Sequence, residues 1–440
     1  MGAFRSVLRW TFRRIIGVYF REIEVLGEAP GRGVHGRLFV SNHVNAIVDP
    51  ILVLTTAPCD ISPVAKSTLW KVPGFRWLLE AVDAVQITRR SDDPTKQGGS
   101  NDAVFDRVAS WLQGGGNILI FPEGTSHNEP HLAPLKTGAA RMLLRAAGPD
   151  SAARQGTAAD SPSPDLTFQS VALEFDDREK FRSRVLVIYG PIRRAADFPG
   201  SGDPFIESVT ARIRDDLSDL LVKGETWDER RLIARVAEML ANDAGDRTLA
   251  GWNAIGRQVE SARRLLAADP AHFQIVQAAV NAYQTELDSL GLTDDDLVGR
   301  RPPRAASLFH KLHLLLVLPL ALTGALLYAP PYWLTRLLAG RVKSHDEIST
   351  IKLGAGLVLY PLWATVLIAL SLSLAPYPWN VAAVALTLLS PTGAIAWLDA
   401  TPGLTRSLRS LFRRRHLEDA RKARAAAMTL IKETQSKLGL

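Results

Sequence analysis

Leu38-Phe39-Val40-Ser41-Asn42-His43-Val44-Asn45-Ala46-Ile47-Val48-Asp49-Pro50 is the stretch on which the fold turns. Its first four residues, apolar up to Ser41, form a short run of the kind that fills a buried strand. Polar Asn42-His43 ends that run, and residues 46–56 then carry apolar side chains at helical intervals. A strand that leads straight into a helix is the repeating unit of an α/β domain. The alternation continues outward, with candidate strands at 61–65, 84–88, 117–121, 168–173 and 184–189, and candidate helices at 102–113 and 137–147. Gly114-Gly115-Gly116 separates a helix from the strand that follows it. Residues 152–164, rich in Ala, Ser and Pro, read as a surface loop.

The 440 residues suffice for more than one domain, and apolar content is uneven along them. Residues 1–22 read as a basic amphipathic helix, with Phe4, Val7, Leu8, Phe12, Ile15 and Ile16 at helical spacing among Arg5, Arg9, Arg13 and Arg14. Such a helix suits an anionic lipid surface. Residues 23–200 hold the α/β pattern, and 201–305 turn wholly helical, with candidates at 227–240, 247–267 and 271–290. Residues 306–400 form a membrane region. Within it, 353–375 and 381–398 are apolar enough to span, while 312–338, broken by Pro319, Gly324 and Pro330-Pro331, reads as a third span or a re-entrant element. Residues 401–440 read as a basic tail, and its arginines (Arg406, Arg409, Arg413, Arg414, Arg415) place it on the cytoplasmic side.

The formal net charge of +7 fits an anionic membrane or an anionic substrate. No zinc-finger spacing or RNA-binding signature accompanies it, so nucleic acid is excluded as a partner. Cys59 is the single cysteine, so the chain has neither a disulfide framework nor a thiolate metal site.

Two segments carry chemistry. His43 leaves a strand end with Asp49 downstream, which fits a general base and the carboxylate that orients it. Phe121-Pro122-Glu123-Gly124-Thr125-Ser126-His127 leaves another strand and is followed by Pro134-Leu135-Lys136-Thr137-Gly138. Glycine in that turn permits close backbone approach by a substrate. His127 and His131 flank Glu129, but Pro130 breaks any helix that would align them on zinc, and no metal is expected. Arg89 closes a candidate strand with a planar fork suited to phosphate. Phe181-Arg182-Ser183-Arg184 is a weaker basic signal of the same kind.

In this order the segments resemble the four motifs of the glycerolipid acyltransferase family. Asn42, His43 and Asp49 match the first, Arg89 the second, Phe121 to Gly124 the third, and the strand near 171–173 the fourth. Five residues separate His43 from Asp49, one more than is commonest in the family, and Thr125 continues with Ser126-His127 rather than Arg. Both departures resemble the glycerol-3-phosphate/dihydroxyacetone-phosphate acyltransferase branch, as does Pro134-Leu135-Lys136-Thr137-Gly138. The extra residue would rotate Asp49 by about 100° if the helix were continuous from His43. The pair therefore requires His43 to sit in the loop before the helix, within about 4 Å of the carboxylate.

The resemblance implies an α/β fold with a mixed sheet flanked by helices. It also implies direct transfer, without a cofactor, of a fatty acyl group from acyl-CoA or acyl carrier protein to a glycerol-phosphate-type acceptor. His43 and Asp49 would be catalytic, and Arg89, Glu123, Gly124, Thr125, Ser126, His127 and Lys136 would bind substrate. The enzyme would work at a phospholipid membrane, with its catalytic domain on the cytoplasmic face. A lysolipid acceptor, a hydrolase and a non-catalytic lipid-binding scaffold are the competing readings.

Overall fold

Strand β2 (Arg37–Ser41) forms where the opening stretch places it, and all five of its residues are buried. A strand covered on both faces belongs in the middle of a sheet. In the computed structural model, which describes residues 2–72, 74–88, 102–148, 166–198, 200–298, 304–412 and 414–439, that is its position. Arg89 and residues 152–164 lie outside the described residues.

The chain divides into two compact units, 1–223 and 224–440. The first is built on a seven-stranded sheet of order β1-β7-β6-β2-β5-β3-β4. Its other strands are β1 (Glu22–Gly27), β3 (Ile61–Lys66), β4 (Val85–Ile87), β5 (Asn117–Ile120), β6 (Thr167–Phe175) and β7 (Arg184–Arg194). Strands β6, β2, β5, β3 and β4 run parallel; β7 is antiparallel to β6, and β1 runs parallel to β7. The sheet is therefore mixed. Side chains alternate between its faces. Leu38, Val40, Ile118, Ile120 and Phe168 pack with α4 (Asp102–Gln113), α5 (Gly138–Ala147) and α6 (Asp203–Leu220). On the other side lie α1 (Gly2–Tyr19), α2 (Val48–Thr56) and α3 (Phe75–Ala81).

Three sequence expectations change here. Helix α6 belongs to the first unit rather than to a helical domain starting at 201, because Phe205, Val209, Ile213 and Leu217 are its core-facing stripe against the sheet. Helix α1 is not a separate appendage, since Ile16, Tyr19 and Phe20 are buried. Its C-terminus is capped by Arg182, whose Nη1 donates to the Gly17 and Val18 carbonyls at 2.9 Å each. The basic run 181–184 thus does structural work at a helix end, where a cation meets orphan carbonyls.

The second unit contains α7 (Trp227–Ala244), α8 (Leu249–Leu265), α9 (Pro270–Leu290) and α10 (Asp294–Val298). Thr226, Thr248 and Asp269 cap the first three of these through their side chains. Next come α11 (Arg304–Leu327), α12 (Ala329–Gly340), α13 (Ile348–Leu374), α14 (Trp379–Phe412) and α15 (Arg414–Leu438). The basic tail expected at 401–440 is the end of α14 followed by α15, and α15 packs Ala420, Ala427, Met428 and Ile431 into the core of the α7–α9 bundle. Residues 348–374 and 379–400 are long and apolar enough to cross a membrane. The third apolar stretch is a pair of helices bent by 59° at Tyr328, just before Pro330-Pro331. Pro319, by contrast, sits inside α11 without ending it.

Candidate active site

Because β2 and β5 are parallel neighbours, the loops that leave their C-terminal ends emerge side by side. That edge of an α/β sheet is where ligands generally sit. The first loop carries His43 and the second carries Glu123 to His127.

His43 lies in the loop, and α2 begins only at Val48. The loop absorbs the extra residue, and His43 Nδ1 stands 3.0 Å from Asp49 Oδ2. The same oxygen accepts from the Val44 and Asn45 amides, each at 2.7 Å. Asp49 is fully buried in the first turn of α2, where the helix dipole favours a negative charge. Burial nevertheless pushes its carboxyl above the ordinary range, against the pull of His43 and the two amides. With Oδ2 a pure acceptor, Nδ1 carries the proton of the neutral ring and Nε2 keeps its lone pair. The ring stacks on Phe121 at 4.1 Å between centroids, which fixes its plane.

Glu123 is buried, and both of its oxygens are taken by protein. Oε1 accepts from the His43 amide at 2.6 Å, while Oε2 accepts from the Ala133 amide at 2.8 Å and meets His127 Nε2. His127 Nδ1 accepts from the Glu129 amide at 3.1 Å, so both ring nitrogens are engaged. The sequence assigns Glu123 and His127 to the substrate; in the structure they also brace the second loop against the first. The His127 amide completes the link by donating to the His43 carbonyl at 3.2 Å.

Gly124 adopts φ +76°, and a Cβ there would come within 2.6 Å of Lys136 Nζ. The backbone amide of Lys136 donates to the Pro122 carbonyl, which folds the Pro134–Lys136 turn back over the second loop. Thr125 and Lys136 are exposed, and Ser126 is half-buried. These groups, with Gly124, are the accessible part of the second loop and of the turn folded onto it. Arg89, the remaining substrate-binding candidate, lies outside the described residues. Among the described residues no group of three His, Cys, Asp or Glu is placed to hold a metal.

Two braces escaped the sequence reading. Asn42, read there only as part of a motif, exchanges both amide hydrogen bonds with the Leu173 backbone on β6 (3.1 and 2.8 Å). Arg178, in the turn after β6, donates through Nη1 to the Val44 carbonyl (3.0 Å) and the His127 carbonyl (3.2 Å), and through Nη2 to Asn128. One guanidinium therefore joins both loops. Its signal in the sequence is nil, since the contacts span 50 to 134 residues and two of the three targets are backbone carbonyls.

Residues 22–157 match the family model described as acyltransferase. The chain is similar to glycerol-3-phosphate O-acyltransferase 2 of Saccharomyces cerevisiae, 24% identical over 286 residues, which cover 60% of this chain and 37% of that protein. It is also similar to a lyso-ornithine lipid O-acyltransferase of Pseudomonas aeruginosa, 34% identical over 124 residues, or 28% of this chain and 43% of that one. The chain thus spans under half the length of these relatives. Among solved structures, the 1-acyl-sn-glycerophosphate acyltransferase of Thermotoga maritima aligns over 49% of this chain and 80% of its own at 13% identity, with a TM-score of 0.35.

Proposed function

This chain carries a domain of the glycerolipid acyltransferase family, and from that premise we propose that it transfers a fatty acyl group from a thioester to the hydroxyl of glycerol 3-phosphate or dihydroxyacetone phosphate. The observation that carries the reading is the His43–Asp49 pair, 3.0 Å apart and stacked on Phe121 at the mouth of two parallel strands. Nε2 takes the proton of the acceptor hydroxyl as its oxygen attacks the thioester carbonyl. Asp49 holds the tautomer and supports the imidazolium that forms. Collapse of the tetrahedral intermediate breaks the carbon–sulfur bond, and the imidazolium returns its proton to the departing thiolate. The donor is acyl-CoA or acyl carrier protein.

The exposed Lys136 ammonium beside Gly124, together with Thr125 and Ser126, suits the acceptor's phosphate. Arg89 joins them in this reading on sequence grounds. The glycerol-phosphate acceptor is favoured by the extent of the yeast alignment, which runs over 60% of this chain, well past the family domain. A lysolipid acceptor is the second reading, favoured by the higher identity to the lyso-ornithine enzyme within the domain. Two apolar helices of spanning length support a membrane location that suits the product, and the arginines after them favour a cytoplasmic catalytic domain by the positive-inside rule.

Purified enzyme offered glycerol 3-phosphate, dihydroxyacetone phosphate and a lysolipid in parallel separates these readings. Transfer to a phosphate acceptor that His43→Ala abolishes, with folding intact, is the expected result. Transfer that survives His43→Ala eliminates the mechanism, and transfer to the lysolipid alone eliminates the acceptor.

A further inference from the structure

Helix α1 carries two apolar faces, and only one is used by the fold. On the inner side Ile16 and Tyr19 are buried, and Leu8, Phe12 and Ile15 are half-buried. Arg5 and Arg9, which a reading of the sequence assigns to lipid, turn inward as well: Arg5 pairs with Asp83, and Arg9 pairs with Asp60 and donates to the Pro58 carbonyl. The outer side presents Phe4, Val7 and Trp10 at 50%, 61% and 59% exposure. The patch does not stop at the helix edge. Phe4 meets Trp77 of α3 edge-on at 6.0 Å, and Trp77 is itself 60% exposed, with Val72 exposed nearby in the chain. Internal packing requires none of these side chains to face outward, and a contiguous cluster of large apolar groups marks a docking surface.

The charges around the patch select its occupant. Helix α1 has no acidic residue. Arg13 and Arg14 are exposed, with Arg14 lying over the Trp10 ring at 5.3 Å. Lys71 and Arg76 flank the α3 side, where the exposed acids are paired, Glu80 with Arg76 and Asp83 with Arg5. Tryptophan with an adjacent guanidinium is the combination that settles at a headgroup boundary, with the ring in the apolar layer and the cation on phosphate. A helix lying flat with such a face is the monotopic mode of membrane binding. The same chain carries two helices long enough to cross a bilayer, so a lipid surface is tethered at high effective concentration.

We propose that the outward face of α1 and α3 docks on an anionic lipid surface, with Phe4, Val7, Trp10 and Trp77 in the apolar layer and Arg13 and Arg14 on the headgroups. This rests on exposure and charge, and it stands whether or not the chain transfers acyl groups.

Cys59 is the only cysteine and is 3% exposed, so introduced cysteines can be labelled selectively. The full chain, bearing an environment-sensitive fluorophore at Val7→Cys, Trp77→Cys or the control Ser110→Cys on α4, is reconstituted into two kinds of vesicle. One is phosphatidylcholine alone; the other contains equal parts phosphatidylcholine and phosphatidylglycerol. Labels at 7 and 77 should shift to the blue and be quenched by brominated lipid chains, more strongly in the anionic vesicles, while the label at 110 stays water-exposed. Joint Arg13→Glu and Arg14→Glu should weaken quenching several-fold. Labels at 7 and 77 as hydrated as the control would overturn the proposal. So would a blue shift without lipid quenching that grows with protein density, which assigns the face to a second copy.

Discussion

One oxygen of Asp49 accepts from an imidazole and two backbone amides, and this triple acceptance gives His43 a single competent tautomer. An amide in its place keeps the shape but allows the ring to flip its proton to Nε2. Asp49→Asn should therefore lower kcat by about 10²- to 10⁴-fold with a small change in KM. The pH profile should carry the same signature. A protonated Asp49 no longer supports the imidazolium, so kcat/KM falls as the pH drops through the ionisation of that carboxyl. Because burial pushes the Asp49 carboxyl up, that fall begins at higher pH than a solvated carboxylate would give. Arg178 tests the brace. Its fork reaches two carbonyls that belong to different loops, a geometry that a lysine's point charge does not reproduce. Arg178→Ala should cost about tenfold in kcat with Arg178→Lys recovering little of it, read from steady-state kinetics and paired with thermal melts to exclude unfolding.

Among the elements, those with a clear period were legible. The strand expected at 61–65 is Ile61–Lys66, and the helix expected at 102–113 is Asp102–Gln113. Strand β1 was not, because it is an exposed edge in which Glu22 and Glu24 alternate with Ile23 and Val25 and no residue is buried. The His43–Asp49 pairing could be anticipated as a condition on the loop, since helix geometry is periodic; the bracing of Glu123 by the amides of His43 and Ala133 could not, since it depends on where two strands pair. Arg182 shows the same limit. Its charge was visible, yet its use as the cap of α1 depends on a turn 162 to 165 residues away in sequence from its acceptors. Replacing Arg182 with Ala removes those bonds from the end of α1. The expected loss is about 1 kcal/mol, measurable as a lower melting temperature and faster proteolysis within α1.

Taken over the whole chain, the second unit closes on itself: α15 follows the last apolar helix in sequence and completes a bundle begun almost two hundred residues earlier. Its lock is Arg424. Nε donates to Asp294 Oδ1 at 2.7 Å, and Nη2 donates to the Met239 carbonyl at 3.1 Å. Asp294 also accepts from the Tyr283 hydroxyl at 2.6 Å and the Asn242 amide at 2.8 Å. Three bundle helices and α10 therefore meet at one carboxylate that is 3% exposed. Burial, with the carboxylate beside it, holds the Tyr283 hydroxyl far above its ordinary range, so it remains a donor at every working pH. Removing only the cation strands a buried charge, and Arg424→Met should destabilise the bundle by about 3–5 kcal/mol. Removing both charges while keeping an acceptor oxygen for the Tyr283 hydroxyl strands no ion, so Arg424→Met with Asp294→Asn should recover most of that loss. Thermal unfolding of the full chain in detergent, with protease cleavage in α15 as the local readout, checks both. If the double variant melts as low as the single one, the lock works through shape rather than charge, and the bundle's closure rests on the apolar contacts of Ala420, Ala427 and Met428 alone.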